Sequence, residues 1–248
     1  MKPNNIQLSI AENYESLSLM AATVFSLAVA DKPQGNYGFA TGSTPEGMYD
    51  HLVRLSNEGK LDMSKIVAFN LDEYVGLPAT DPQSYAHYMA HKLFDPTNVP
   101  VNNRYIPNGM ATDFDAECEA YELKIATVGG IDLQILGIGT NGHIGFNEPE
   151  DIFAKYTSHV PLAQATVDAN ARFFEDPSQV PRYALSMGIQ SIMMAKRILL
   201  LASGPAKAQI LNQALTGPIT PQVPASALQL HRHVEVIADK AAAECLDL

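Results

Sequence analysis

Five short runs of this chain, residues 37–40, 65–70, 131–137, 197–202 and 234–238, are rich in apolar side chains, and several show no polar alternation. A strand with one wet face alternates polar and apolar residues, so runs without alternation belong to a sheet covered on both faces, the usual state of a parallel sheet. Helical patterns lie between them. Leu17, Met20, Ala21, Val24 and Ala28 share one stripe of a helix that ends near Asp31 and Pro33. Further helices are expected over 45–57, 84–94, 113–128, 189–195 and 205–215, the last with Pro205 at its first position. Strand and helix alternate, which makes the class α/β. There is no internal repeat, low-complexity tract or linker-like shift, so 1–248 reads as a single domain. The stretch 148–182 fits least well: it holds Pro149, Pro161, Pro177 and Pro181 with little periodicity, and is a candidate lid.

The charge balance narrows the function classes. Sixteen Lys+Arg against 27 Asp+Glu leave a formal charge of −11, whereas nucleic-acid binders cluster cations to neutralise phosphates. Any anionic ligand is therefore small and locally held, and no nucleic-acid partner is expected. Cys118 and Cys245 have no partner at ligand spacing, so neither a disulfide framework nor a metal site is expected, and a reducing cytoplasm fits. The apolar stretch 19–30 is broken by Thr23 and Ser26 and follows Glu12 and Glu15, which argues against a signal peptide and against a membrane partner.

In an open parallel sheet, ligands gather beyond the carboxyl ends of the strands, and three motifs fall there. The first, Thr41-Gly42-Ser43-Thr44-Pro45, joins a strand to a helix start. Its backbone N–H groups can hold an anion with help from the Ser43 and Thr44 hydroxyls; equally, either hydroxyl can simply cap the helix. The second, Leu71-Asp72-Glu73-Tyr74, offers Asp72 as a general base, although on its own a solvated turn is the simpler reading of adjacent carboxylates. The third is GIGTNGHIGFNEP, residues 137–149, in which Gly137, Gly139 and Gly142 have dinucleotide-fingerprint spacing. Gly145, Asn147 and Pro149 deny it the helix that a dinucleotide needs, so no cofactor is expected. The glycines read instead as room for a small ligand and for His143, a proton carrier near neutral pH with Asn141 and Glu148 to orient it. His87 and His91 lack the glutamate of a zinc-protease helix and read as a surface pair; His231 and His233 carry no assignment.

Taken together, ATGSTPEGMY (40–49), FNLDEYVGL (69–77), GIGTNGHIGFNEP (137–149) and ALSMGIQSI (184–192) resemble the glucosamine-6-phosphate deaminases almost end to end. The resemblance implies a modified Rossmann-like three-layer sandwich with a mostly parallel central sheet and no bound nucleotide. It implies conversion of a small-molecule sugar phosphate, glucosamine 6-phosphate, with water to fructose 6-phosphate and ammonia. By resemblance, Asp72 moves a proton between C2 and C1, and His143, supported by Asn141 and Glu148, opens the ring. Gly42, Ser43 and Thr44 match the phosphate loop, and Arg172 and Lys207 match its basic partners.

Two departures stand out. Some members carry Asp where this chain has Asn141, and an amide orients a neighbour without stabilising an imidazolium by charge. Allosteric hexamers of the family bind an N-acetylated effector through basic residues at positions that are Ser158 and Val160 here. A monomer or small homo-oligomer is therefore expected rather than an allosteric hexamer. Galactosamine 6-phosphate as substrate, lactone hydrolysis, a silent sugar-phosphate sensor and, remotely, a nicotinamide dehydrogenase remain as alternatives. Initial rates should follow a hyperbola in glucosamine 6-phosphate and ignore N-acetylglucosamine 6-phosphate; a sigmoid made hyperbolic by that compound is the contrary result.

Overall fold

The computed structural model describes residues 6–171, 174, 176 and 179–246. Among them run the strands β1 (Ile6–Ala11), β2 (Asn36–Phe39), β3 (Val67–Asn70), β4 (Asp72–Tyr74), β5 (Arg104–Tyr105), β6 (Leu133–Gly137), β7 (Ser158–Pro161), β8 (Tyr183–Ser186), β9 (Arg197–Ala202) and β10 (Val234–Asp239). The helices are α1 (Tyr14–Asp31), α2 (Glu46–Asn57), α3 (Tyr85–Met89), α4 (Phe114–Thr127), α5 (Gln164–Asn170), α6 (Ile189–Met193) and α7 (Ala208–Thr216).

The central sheet has the order β1-β10-β9-β6-β2-β3-β5, and every neighbouring pair is parallel. A small antiparallel sheet, β4-β8-β7, stands beside it. Burial on both faces explains the unalternating runs. In β9, Ile198 and Leu200 join a core with residues of α4, α6 and α7, while Leu199 and Leu201 join another with residues of α1, α2 and α3. The result is the expected three-layer α/β sandwich.

Local chemistry sets the helix starts. The Asn13 side chain accepts from the backbone N–H of Ser16, whose hydroxyl bonds back in a capping box, so Tyr14 opens α1. Ser84 caps α3 by accepting from His87 N–H at 3.0 Å. The helix expected over 84–94 loosens into a π turn over Ala90–Phe94. Pro205 opens a 3₁₀ turn, Pro205–Lys207, that runs into α7. No helix among the described residues is long and apolar enough to cross a membrane.

The stretch 148–182 is less irregular than its prolines suggest, since β7 and α5 lie within it. β7 was hidden because SHVP is half exposed and depends on pairing with β8, with Ser158 opposite Ser186. The turn reading of 71–74 is also overturned. Asp72 and Glu73 lie in β4, only 5% and 3% exposed, because β8 pairs with that strand, Asp72 opposite Ser186.

Since the strands of the central sheet are parallel, their carboxyl ends share one edge. The segments that leave the neighbours β9, β6, β2 and β3 carry Lys207, His143, the 42–44 loop and Asp72 respectively. From β2 and β6 chain order runs outward to β3 and β5 on one side and to β9 and β10 on the other, with β1 added at the far edge, so the β2–β6 boundary is the switch point where such sheets bind ligands. The opposite edge is structural: His231 meets the carbonyls of Ala195 and His233 just before β9 and β10 begin.

The core behind that edge rests on Phe25, fully buried, its ring centroid 5.0 Å from that of Tyr37 and 5.5 Å from that of Phe39. Phe25→Ala should cost about 3–5 kcal/mol, read as a lower urea midpoint at unchanged slope. Turnover per folded molecule should persist.

Candidate active site

The loop after β6 makes a turn rather than a helix. Gly142 adopts φ +89°, its N–H donates to the Gly139 carbonyl at 3.0 Å, and Ile144 bridges to Asn147. Gly139 is required for contact: a Cβ there would stand within 2.5 Å of three atoms of the His143 ring. The imidazole therefore lies against bare backbone.

His143 Nδ1 is 3.3 Å from Glu148 Oε2. Asn141 does not touch the ring. Its Nδ2 donates to the same Glu148 oxygen at 2.6 Å, and its Oδ1 accepts from the backbone N–H of His143 at 3.2 Å. The amide thus grips the carboxylate, and the carboxylate meets the imidazole; an ionised Asp at 141 could not donate that bond. Thr166 of α5 donates to the other oxygen, Glu148 Oε1, a contact that no sequence pattern announces. Burial would raise the Glu148 pKa, but the bonds from His143, Thr166 and Asn141 outweigh it and hold it down at about 2. An ionised Glu148 only accepts, so it selects the tautomer with the proton on Nδ1. His143 Nε2 is left to exchange a proton.

Asp72 is a carboxylate of the opposite kind. No hydrogen bond donor meets it among the described residues, and its pKa is pushed up to about 8, by burial first and by the neighbouring Glu73 charge second. Glu73 leaves β4 on the other face, where its carboxylate accepts backbone N–H bonds from Tyr74, Tyr85 and Ala86 at 2.7–2.8 Å. One acid anchors a helix start, and the other is left available for chemistry.

Asp72 and the loop that carries His143 are brought together by the end of β8. Ser186, opposite Asp72, accepts from Phe146 N–H at 3.0 Å, and the Met187 carbonyl accepts from Asn147 Nδ2 at 2.8 Å. Gly145, two residues after His143, has φ +58°, and a Cβ there would lie 3.5 Å from Asp72 Oδ2. The 144–147 loop therefore lines the face of Asp72.

The loop after β2 does not cap its own helix. The N-cap of α2 is Pro45, without a side-chain hydrogen bond, and Ser43 is exposed beside Gly42 at φ +98°. The N–H groups of this helix start are not consumed by the Ser43 or Thr44 hydroxyls. Lys207 lies half-buried at the start of α7. Arg172 lies outside the described residues. His87 and His91 stack at 6.0 Å between ring centroids, and no group of three or more His, Cys, Asp or Glu suited to a metal occurs among the described residues.

Known proteins resemble this chain over nearly its whole length. A glucosamine-6-phosphate deaminase of Lachnoclostridium phytofermentans is 52% identical over 227 residues, covering 92% of this chain and 96% of the relative. A second deaminase, from Clostridium botulinum strain Kyoto, is 50% identical over 98% of this chain and all of its own. A solved monomeric glucosamine-6-phosphate deaminase superposes with a TM-score of 0.94 at 44% identity, over 97% of this chain and 100% of the other. The 6-phosphogluconolactonase of Trypanosoma cruzi shares the fold at 19% identity and a TM-score of 0.77, over 100% of this chain and 99% of the other. A sequence model of glucosamine-6-phosphate isomerases/6-phosphogluconolactonase matches residues 11–237, and the chain belongs to that family.

Proposed function

We propose that this protein is a glucosamine-6-phosphate deaminase, converting glucosamine 6-phosphate and water to fructose 6-phosphate and ammonia. The observation that carries the reading is the pairing of two unlike proton carriers: a buried carboxylate of raised pKa, Asp72, and an imidazole held on an ionised carboxylate, His143 on Glu148. The reaction needs both. His143 takes the proton of the C1 hydroxyl and delivers it to the ring oxygen, opening the sugar to an aldehyde. The C2 proton is then acidic enough for Asp72 to remove, giving an enolamine, and Asp72 returns that proton to C1. The resulting C2 iminium adds water and loses ammonia, leaving the C2 ketone.

Gly42, Ser43 and Thr44 hold the phosphate, with Lys207 and Arg172 as its cations. The segment 148–182 acts as the lid of the single domain 1–248. Thr166 supports that role, because through it α5 of the segment bonds directly to Glu148. The chain works in the cytoplasm as a monomer or small oligomer, a reading supported by the monomeric solved relative.

Purified protein should release ammonia and fructose 6-phosphate in equal amounts from glucosamine 6-phosphate, faster than from galactosamine 6-phosphate and without hydrolysing 6-phosphogluconolactone. Asp72→Asn should lower turnover by about 10²–10⁴ or more. Silence on all three substrates would overturn the reading.

The raised pKa of Asp72 sets the pH behaviour. Only the ionised form is a base, so kcat/KM should fall about tenfold per unit as pH drops below about 8. Stability runs the other way. Between the ordinary 3.8 and about 8 the folded chain keeps a proton that the unfolded chain has lost, so Asp72 destabilises the fold progressively as pH rises through that window. Asp72→Asn should therefore be more stable than its parent at pH 9 by at least about 1 kcal/mol, or roughly 2–4 °C in Tm. Thermal scans at pH 9 and pH 4 should show the gain shrinking at the lower pH.

A further inference from the structure

Four consecutive residues at the end of β2 and in the loop after it each have a tyrosine against them, and three are held through their carbonyls by its hydroxyl. Tyr49 of α2 donates to the Ala40 carbonyl at 2.5 Å, and Tyr85 of α3 lies beside the Thr41 side chain. Tyr88, one turn beyond Tyr85, donates to the Gly42 carbonyl at 2.8 Å. Tyr14, the first residue of α1, donates to the Ser43 carbonyl at 2.8 Å and accepts from Gly47 N–H at 2.8 Å. Ordinary core packing does not require the last two bonds, since Gly42 and Ser43 are exposed.

Their effect follows from peptide geometry. In a planar trans peptide the C=O and N–H point in opposite directions. Fixing the Gly42 carbonyl on Tyr88 turns the Ser43 N–H away from that phenol; fixing the Ser43 carbonyl on Tyr14 does the same to the Thr44 N–H. Tyr14 and Tyr88 lie close enough to interact electrostatically, so the two N–H groups leave the loop away from a shared tyrosine side. Tyr14 also takes the Gly47 N–H from the first turn of α2. Three N–H groups of the loop and the helix start are thereby sorted: that of Gly47 is occupied by protein, and those of Ser43 and Thr44 are presented outward. Burial pushes the Tyr88 hydroxyl far above its ordinary range, so it remains a donor at any working pH.

We infer that Tyr14 and Tyr88 are positioning residues of the phosphate loop, setting the direction of the Ser43 and Thr44 N–H groups that receive the substrate phosphate. The inference rests on the proposed phosphate role of that loop. Pre-aimed donors need no reorganisation on binding, and because the phosphate is remote from C1 and C2, the benefit falls equally on substrate and transition state.

The test uses the full chain with Tyr14→Phe, Tyr88→Phe and the double substitution, with inorganic phosphate as probe. Each single substitution should raise KM for glucosamine 6-phosphate and the inhibition constant of phosphate together by about 3–10-fold, with kcat within about twofold. The double substitution should exceed either. A merely structural role would lower Tm and the folded fraction without moving the phosphate constant of the folded enzyme. Phosphate constants and KM within about twofold of the parent in folded variants would overturn the inference, as would a loss confined to kcat. If the half-buried Tyr88→Phe does not fold, Tyr14→Phe, at an exposed residue, decides alone. Phosphate binding read from ³¹P line broadening needs no turnover. A parent that binds phosphate without releasing ammonia would overturn the deaminase reading and leave the tyrosine test standing, whereas a parent that neither binds phosphate nor is inhibited by it would overturn both.

Discussion

The parallel alignment of the central sheet is the constraint on which the site depends. With all seven strands running the same way, the segments that follow β9, β6, β2 and β3 must leave from one edge, whatever their sequences. Reactive groups spread over more than 160 residues, from Gly42 to Lys207, are thereby brought to a common edge without any one of them fixing the fold. The cost of parallel pairing is that every strand must be covered twice. That demand produces both the unalternating run of β9 and the two helical layers whose starts carry Ser43, Tyr88 and Lys207.

The antiparallel β4-β8-β7 sheet supplies what the central sheet cannot. It removes Asp72 from water by pairing it with Ser186, and the same Ser186 and Met187 hold the 144–147 loop. Burial is then allowed to act on Asp72 without opposition, and its pKa rises; Glu148, almost as buried, is surrounded by donors, and its pKa falls. Two carboxylates on one edge are driven apart in acidity, one by burial and a neighbouring charge, the other by donors and the imidazole beside it. This is the separation that lets the proposed reaction use one on carbon while the other stays charged beneath an imidazole.

How much of this was legible follows from where the information resides. The strands β2, β3, β6, β9 and β10 were legible because double-sided burial writes itself into every residue of the run. β1 is an edge strand, β4 is three residues long and two of them acidic, and β7 is half exposed; each depends on a partner distant in sequence, so local pattern says little. The glycine spacing of 137–142 imitated a dinucleotide fingerprint, and the absence of a following helix separated the two. Its glycines make room for the His143 ring, a contact between residues only four apart. Thr166, by contrast, reaches Glu148 from a helix eighteen residues away, and the tyrosines at 14, 49, 85 and 88 converge from three helices. Their alignment exists only after folding, and ten tyrosines in the chain offer no sign of which four matter.

The adjacency of Asp72 and Glu73 joins these threads. Neighbouring residues of a strand point to opposite faces, so the pair cannot serve one site; each must answer to its own side of β4. Glu73 takes one N–H donor from Tyr74 of its own strand and two at the start of α3, the helix that carries Tyr85 and Tyr88 to the loop after β2. Its charge simultaneously raises the Asp72 pKa. A single buried carboxylate therefore acts on two sides of β4 at once: it orders the start of the helix that carries Tyr85 and Tyr88, and its charge raises the pKa of its neighbour. Neutralising Glu73 would loosen the first arrangement and weaken the second together, which, in the proposed reaction, ties the holding of the substrate to the strength of the base through one strand of three residues.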